Sequence, residues 1–175
     1  LYGLTPLCRA MKQNREDLVK LVLDLSTTNV NAKNADGNTQ LCCAAEHFPQ
    51  FLSLLLDHPN IDVNLLDLWG YPPISVVIQF HPSYLHIFIE KAKAKNLDID
   101  ACNTSAGETA LMYAVSKRPQ CVELLLRAGA NPNLRSNADA SCIIYACCFA
   151  PQLIEMLMMH QTTVTAGDLF AIISS

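Results

Sequence analysis

The 175-residue chain is short of charge and of the groupings that build reactive centres. Charged residues make up 16%, and 12 Lys+Arg against 16 Asp+Glu leave a net charge of −4. They form no basic stripe or arm of the kind that neutralises phosphates, so nucleic acid is not an expected partner. Apolar runs such as Ile143 to Cys148 fall far short of the roughly 20 residues that cross a bilayer, which argues against direct membrane insertion. The eight cysteines contain no Cys-x-x-Cys pair and none has a suitably spaced histidine, so neither a metal site nor a disulfide framework is expected. They read as reduced, buried small hydrophobes, which places the chain in a reducing compartment, the cytoplasm or the nucleus. His47, His58, His81, His86 and His160 are scattered, with no Ser/His/Asp grouping and no glycine-rich phosphate cradle. No catalytic, cofactor-binding or metal residue is proposed, and the chain is read as a non-enzyme.

What is present is apolar residues, 51% of the total, arranged in a recurring phrase. The phrase runs Gly3-Leu4-Thr5-Pro6-Leu7, Gly37-Asn38-Thr39-Gln40-Leu41, Gly70-Tyr71-Pro72-Pro73-Ile74, Gly107-Glu108-Thr109-Ala110-Leu111, with a degenerate fifth copy from Asp139 to Ile143. Its spacings are 34, 33, 37 and 32 residues, a period that signals a row of supersecondary modules rather than one closed core. Each module reads as a turn, a short apolar helix, a break and a second apolar helix, giving an all-α fold of about five stacked helix–turn–helix units with hairpin-like loops. The units are placed at approximately 1–33, 34–66, 67–103, 104–135 and 136–165, with 166–175 a partial unit or cap, as a single domain. Helices of two turns are marginal alone in water, so each must bury its apolar face on a neighbour.

Prolines 49, 82, 119 and 151 each take the first position of a second helix, where a missing N–H costs nothing and a fixed φ helps. The long step from Gly70 to Gly107 is assigned to Lys91 through Asn96, as an extended second helix and a longer loop. Asp139 replaces the turn glycine, a residue type that tolerates left-handed φ. The chain has no initiator Met and begins within the first copy of the phrase, so it is read as part of a longer protein.

Thr5-Pro6-Leu7 with Ala10, Thr39 and Leu41 with Ala44, Thr109 and Leu111 with Ala114, and the closing Val30-Asn31, Val63-Asn64 and Pro132-Asn133 resemble the ankyrin repeat. The family's histidine after Thr-Pro-Leu is absent; Cys8, Cys42, Ser75, Met112 and Ile144 take its place, from which mostly apolar ties between repeats are expected. The resemblance implies that Asn31, Asn64 and Asn133 cap hairpins by bonding neighbouring backbone. It also implies a solenoid whose hairpin tips and first-helix ends line a concave face that grips a protein or peptide.

Carried onto this sequence, the helix-end positions are Glu46 and His47, Gln79 and Phe80, Ser116 and Lys117, and Phe149. The tips supply Asp36, Asn38, Leu68, Trp69, Tyr71 and Glu108. Trp69 and Tyr71 flank a turn glycine and are residue types enriched at binding hot spots, although Trp69 has the alternative of folding onto the next hairpin. The functional expectation is a protein-binding scaffold or adaptor; the alternative is a structural or regulatory spacer within a larger enzyme, channel or trafficking adaptor. Oligomeric state is open.

Overall fold

A computed structural model describes residues 5–25, 27–160 and 163–174. Gly3, the first turn glycine, lies outside them. The chain divides into two compact bodies at Asp98 and Ile99. Its described residues are all-α, with no strand beyond isolated bridges.

The first body holds three helix pairs: α1 (Pro6–Lys12) with α2 (Glu16–Asp24), α3 (Gln40–His47) with α4 (Leu52–Asp57), and α5 (Pro73–Phe80) with α6 (Leu85–Lys93). The second holds α7 (Ala110–Lys117) with α8 (Val122–Ala128), α9 (Cys142–Phe149) with α10 (Ile154–Met159), and a last helix, α11 (Ala166–Ser174), against α9. Among the described residues no helix is long and apolar enough to cross a membrane.

First helices start where the repeat phrase supplies a hydroxyl. Thr5, Thr39 and Thr109 each accept the backbone N–H three residues on, at 3.1, 3.1 and 3.2 Å, satisfying a donor that the first turn leaves open. Second helices start differently from expectation. Pro49, Pro82, Pro119 and Pro151 each open a three-residue 3₁₀ turn that runs into the α-helix. The proline suits that tighter turn because it donates nothing, while the carbonyl before it accepts from the turn's last N–H.

Burial follows the apolar pattern. Leu52, Leu55, Val77, Ile78, Leu85 and Phe88 fill the first body, and Leu111, Met112, Val115, Leu125, Ile143 and Leu157 the second. Lys20, His86, Glu123 and Glu155 stand on the open side of their helices, as their place in the pattern implies.

The 37-residue step has the two causes expected, a longer second helix and a longer loop, but the loop's extra residue lies in the next hairpin tip and not within Lys91 to Asn96. Helix α6 has 9 residues against 6 in α4, and the following hairpin tip is one residue longer. The usual tip closes across four positions, as Asn34 N–H to Asn38 O does; the longer one closes from Asn103 N–H to Glu108 O. Tip residues Gly37, Gly70 and Gly107 take φ of 78°, 78° and 64°, and Asp139 takes 58°, so the aspartate does adopt the glycine conformation.

A buried polar residue at the base ties each of the four described tips. Asn34 Oδ1 accepts from Asn38 N–H, Asp67 Oδ1 from Tyr71, Asn103 Oδ1 from Ala106 and Ser136 Oγ from Ala140. A Cβ on Gly37 would stand 2.8 Å from Leu68 Cδ1 on the next tip. Gly37→Ala is therefore expected to cost about 1–2 kcal/mol in backbone strain alone, read as a lowered midpoint in urea denaturation.

The expectation of mostly apolar ties between repeats needs correction, because a polar ladder joins them as well. Asn31 accepts from Asp62 N–H (2.8 Å) and donates to Asn60 O (2.8 Å); Asn64 does the same with Asp98 N–H (2.9 Å) and Asn96 O (3.0 Å). In the second body, Asn131 N–H reaches Asp100 Oδ1 (2.9 Å) and Thr163 N–H reaches Asn133 Oδ1 (2.6 Å). The capping role of Asn31, Asn64 and Asn133 is present in this geometry, and Asp100 is a further rung. Neighbouring side chains add Thr5 Oγ1–H to Gln40 Oε1 at 2.7 Å.

Candidate partner-binding surface

In the first body, five of the residues singled out from sequence surround one open pocket of about 260 Å³. The 67–71 tip brings Trp69 and Tyr71, the end of α5 brings Gln79 and Phe80, and the end of α3 brings Glu46. Two bonds hold this arrangement: Asp67 accepts the Tyr71 N–H at 2.8 Å, and His81 Nε2 lies 3.2 Å from the Glu46 carbonyl, tying the ends of α3 and α5. Trp69 remains 57% exposed and Phe80 43%. Of the two alternatives for Trp69, the structure has the ring in solvent, not folded away.

A second, larger pocket of about 430 Å³ lies towards the first repeat and takes Asp36, Asn38 and His47 together with Lys12 and Phe48. Asn38 is only 8% exposed and turns its amide oxygen to the Leu68 N–H at 3.3 Å. This corrects its reading as an open surface contact: it joins adjacent tips and forms pocket wall. Leu68 is exposed and leans over Gly37. At the pocket floor the Cys8 thiol donates to Gln40 Oε1 at 3.1 Å. A hydrogen bond with Cys43 holds the Cys8 thiol below its ordinary pKa, and the same bond with burial pushes Cys43 up. Both thiols are free and almost fully buried.

The second body gathers Glu108, Lys117 and Phe149 around a residue that sequence reasoning did not select, Tyr145. Its hydroxyl donates to Glu108 Oε1 at 2.5 Å, and its ring lies 6.3 Å from that of Phe149. Burial, then the bond to Glu108, pushes the Tyr145 hydroxyl up to about 12. Lys117 Nζ sits 5.5 Å from the Phe149 centroid, within cation–π range, and Phe149 is 58% exposed. Ser116 is half-buried and spends its hydroxyl on the Tyr113 carbonyl at 3.1 Å.

Residues 2–67 match the family described as ankyrin repeats (3 copies), and residues 106–137 match a single ankyrin repeat. The chain belongs to the ankyrin repeat family. Over 79 residues, 45% of its length, it is 32% identical to Rabankyrin-5 of Mus musculus and 33% identical to Rabankyrin-5 of Homo sapiens. That stretch is 7% of each relative, so the chain spans a small part of the length of the curated proteins it matches. Ankyrin repeats generally mediate protein–protein interaction, and the family is typically a non-catalytic module.

The ankyrin frame explains which functional residues the sequence reading missed. Tyr145 stands two residues beyond the phrase of its repeat and looks like ordinary core until its hydroxyl is seen on a residue of the preceding tip. Asp100 replaces the closing asparagine and lies in Ile99-Asp100, a phrase that does not read as Val-Asn. A carboxylate oxygen accepts the same backbone N–H as an amide oxygen does, which is the signal that would have found it.

Proposed function

We propose that this ankyrin-repeat chain binds a peptide or a folded protein through the open side formed by its tips and first-helix ends, with Trp69, Tyr71 and Phe80 as anchors. The observation that carries the reading is the exposed Trp69 ring beside Phe80 and Tyr71 around a side-chain-sized pocket. Burying a large aromatic on a partner contributes binding free energy that its exposed position leaves unused in the fold. Stacked helices and bonded tips fix these rings beforehand, so little ordering entropy is lost on association. The reading has no catalytic step, and the eight free thiols favour a reducing compartment such as the cytoplasm.

Selection of binders from a random peptide library tests it. Trp69→Ala is expected to lower the affinity of selected peptides by about 2 kcal/mol, roughly thirtyfold, with an unchanged helical circular dichroism spectrum. Peptides that bind the variant as well as the parent would remove this face from consideration. A role as a spacer within a longer protein is favoured by the 7% coverage of the relatives, where such a stretch is one small part of the chain.

A further inference from the structure

We infer that the pocket bounded by Trp69, Tyr71 and Phe80 receives a positively charged side chain, arginine or lysine, from the partner peptide. This rests on the binding reading above and specifies the chemistry of its central contact.

Three features of the pocket point the same way. Its volume of about 260 Å³ lies below the range typical of small-molecule sites and suits one long side chain. Three aromatic residues border it, and an aromatic face attracts a cation through its quadrupole, most strongly for tryptophan. Two carboxylates complete the lining, Glu46 and Asp67. The Glu46 side chain is 21% exposed, and Asp67 is buried.

The state of these carboxylates decides between a cation and a neutral apolar occupant. Asp67 gives one oxygen to the Tyr71 N–H, and the other has no hydrogen-bond partner among the described residues. Among the described residues Glu46 has only His47 within ion-pair reach, at 3.6 Å, and that imidazole is mostly exposed and lines the neighbouring pocket. A neutral aliphatic group entering here would strip water from two carboxylates and return no hydrogen bond, an unfavourable exchange. An ammonium or guanidinium returns both charge and N–H donors while its methylene stem lies along the rings. The net charge of −4 adds a long-range attraction of the same sign.

Trp69 is the sole tryptophan, so its emission reports occupancy without a label. The test titrates the whole chain with blocked pentapeptides identical except for a central arginine, lysine, citrulline or norleucine. Arginine and lysine peptides are expected to shift the emission at concentrations about tenfold lower than the two neutral peptides, and added NaCl should narrow that gap. Glu46→Gln and Asp67→Asn are expected to narrow it as well. Asp67→Asn keeps the fold testable, because Asn34 makes the equivalent bond in the preceding tip.

Equal responses to charged and neutral peptides, or no response to the charged ones, would overturn the inference. The binding reading fails separately: library-selected peptides that need Trp69 but lack any basic residue would retain it and exclude the cation.

Discussion

Replacing Asp168 with alanine is expected to detach α11 from the second body, at a cost of about 3–5 kcal/mol to the docking of that helix. The carboxylate is fully buried, and every bond it makes crosses to something that needs it. Ser141 donates to Oδ1 at 2.6 Å, Arg135 approaches Oδ2 at 3.0 Å, and the Thr165 N–H and hydroxyl donate to Oδ2 at 2.8 and 2.7 Å. Thr165 in turn accepts the Asp168 N–H, a reciprocal cap at the start of α11. The variant leaves the buried Ser141 hydroxyl without its acceptor and takes from the largely covered Arg135 guanidinium its buried counter-charge, leaving it the Asp139 carbonyl and the Thr165 hydroxyl. Hydrogen exchange gives the readout: α11 amides should lose protection while α7 amides keep theirs.

The same carboxylate fixes a pH dependence. Burial raises its pKa, but the bonds from Ser141 and Thr165 and the charge of Arg135 outweigh burial and hold it below the ordinary carboxylate value. A depressed folded pKa contributes stability above the unfolded value of about 3.9, and that stability is lost as pH falls through the folded one. Protection of α11 should therefore be level near neutrality and fall in acid. In Asp168→Ala it should be low throughout, without that step.

Phe88→Ala is expected to cost about 3–5 kcal/mol, the largest effect from a single side chain in the first body. Phe88 is fully buried in α6, where truncation leaves a cavity that stiff neighbouring helices fill poorly. Phe80→Ala makes the same chemical change on a ring that is 43% exposed, and should cost less than about 1 kcal/mol in urea denaturation. The two should exchange rank in binding, where Phe80 borders the aromatic pocket and Phe88 does not. A Phe80 variant as unstable as the Phe88 variant would show that its ring supports the fold and not a partner.

These contrasts mark where the sequence was legible. Turn glycines and the left-handed Asp139 were readable because each depends on residues within one or two turns of chain. The extension after Gly70 was read as a longer helix and a longer loop, but the loop's extra residue was placed before Asn96 instead of in the tip 103–108, where it disturbs no periodicity. Five of the pocket residues were named from the repeat register, which carries tips and helix ends to the same edge, while Asp67 at the base of the tip was not. What escaped were pairs 27 to 37 residues apart, Ser141 with Asp168 and Glu108 with Tyr145, because neither member looks unusual alone. Asp168 occupies the slot after Thr-x-x in a stretch read as a partial unit or cap, with no partner assigned to it. Asn38 was misjudged for the opposite reason: a polar residue at a tip reads as solvated until the neighbouring tip is present to take its amide oxygen.

The Asx rungs at Asn31, Asn64 and Asp100 each accept a main-chain N–H of the following repeat. A coupling of that kind is blind to the identity of what it joins. Open-face residues that bond no neighbouring repeat, Trp69 among them, are thus free to drift without loosening these rungs, whereas Asn38 and Glu108 are not. Diversity of recognition and constancy of assembly are written on separate atoms of the same polypeptide.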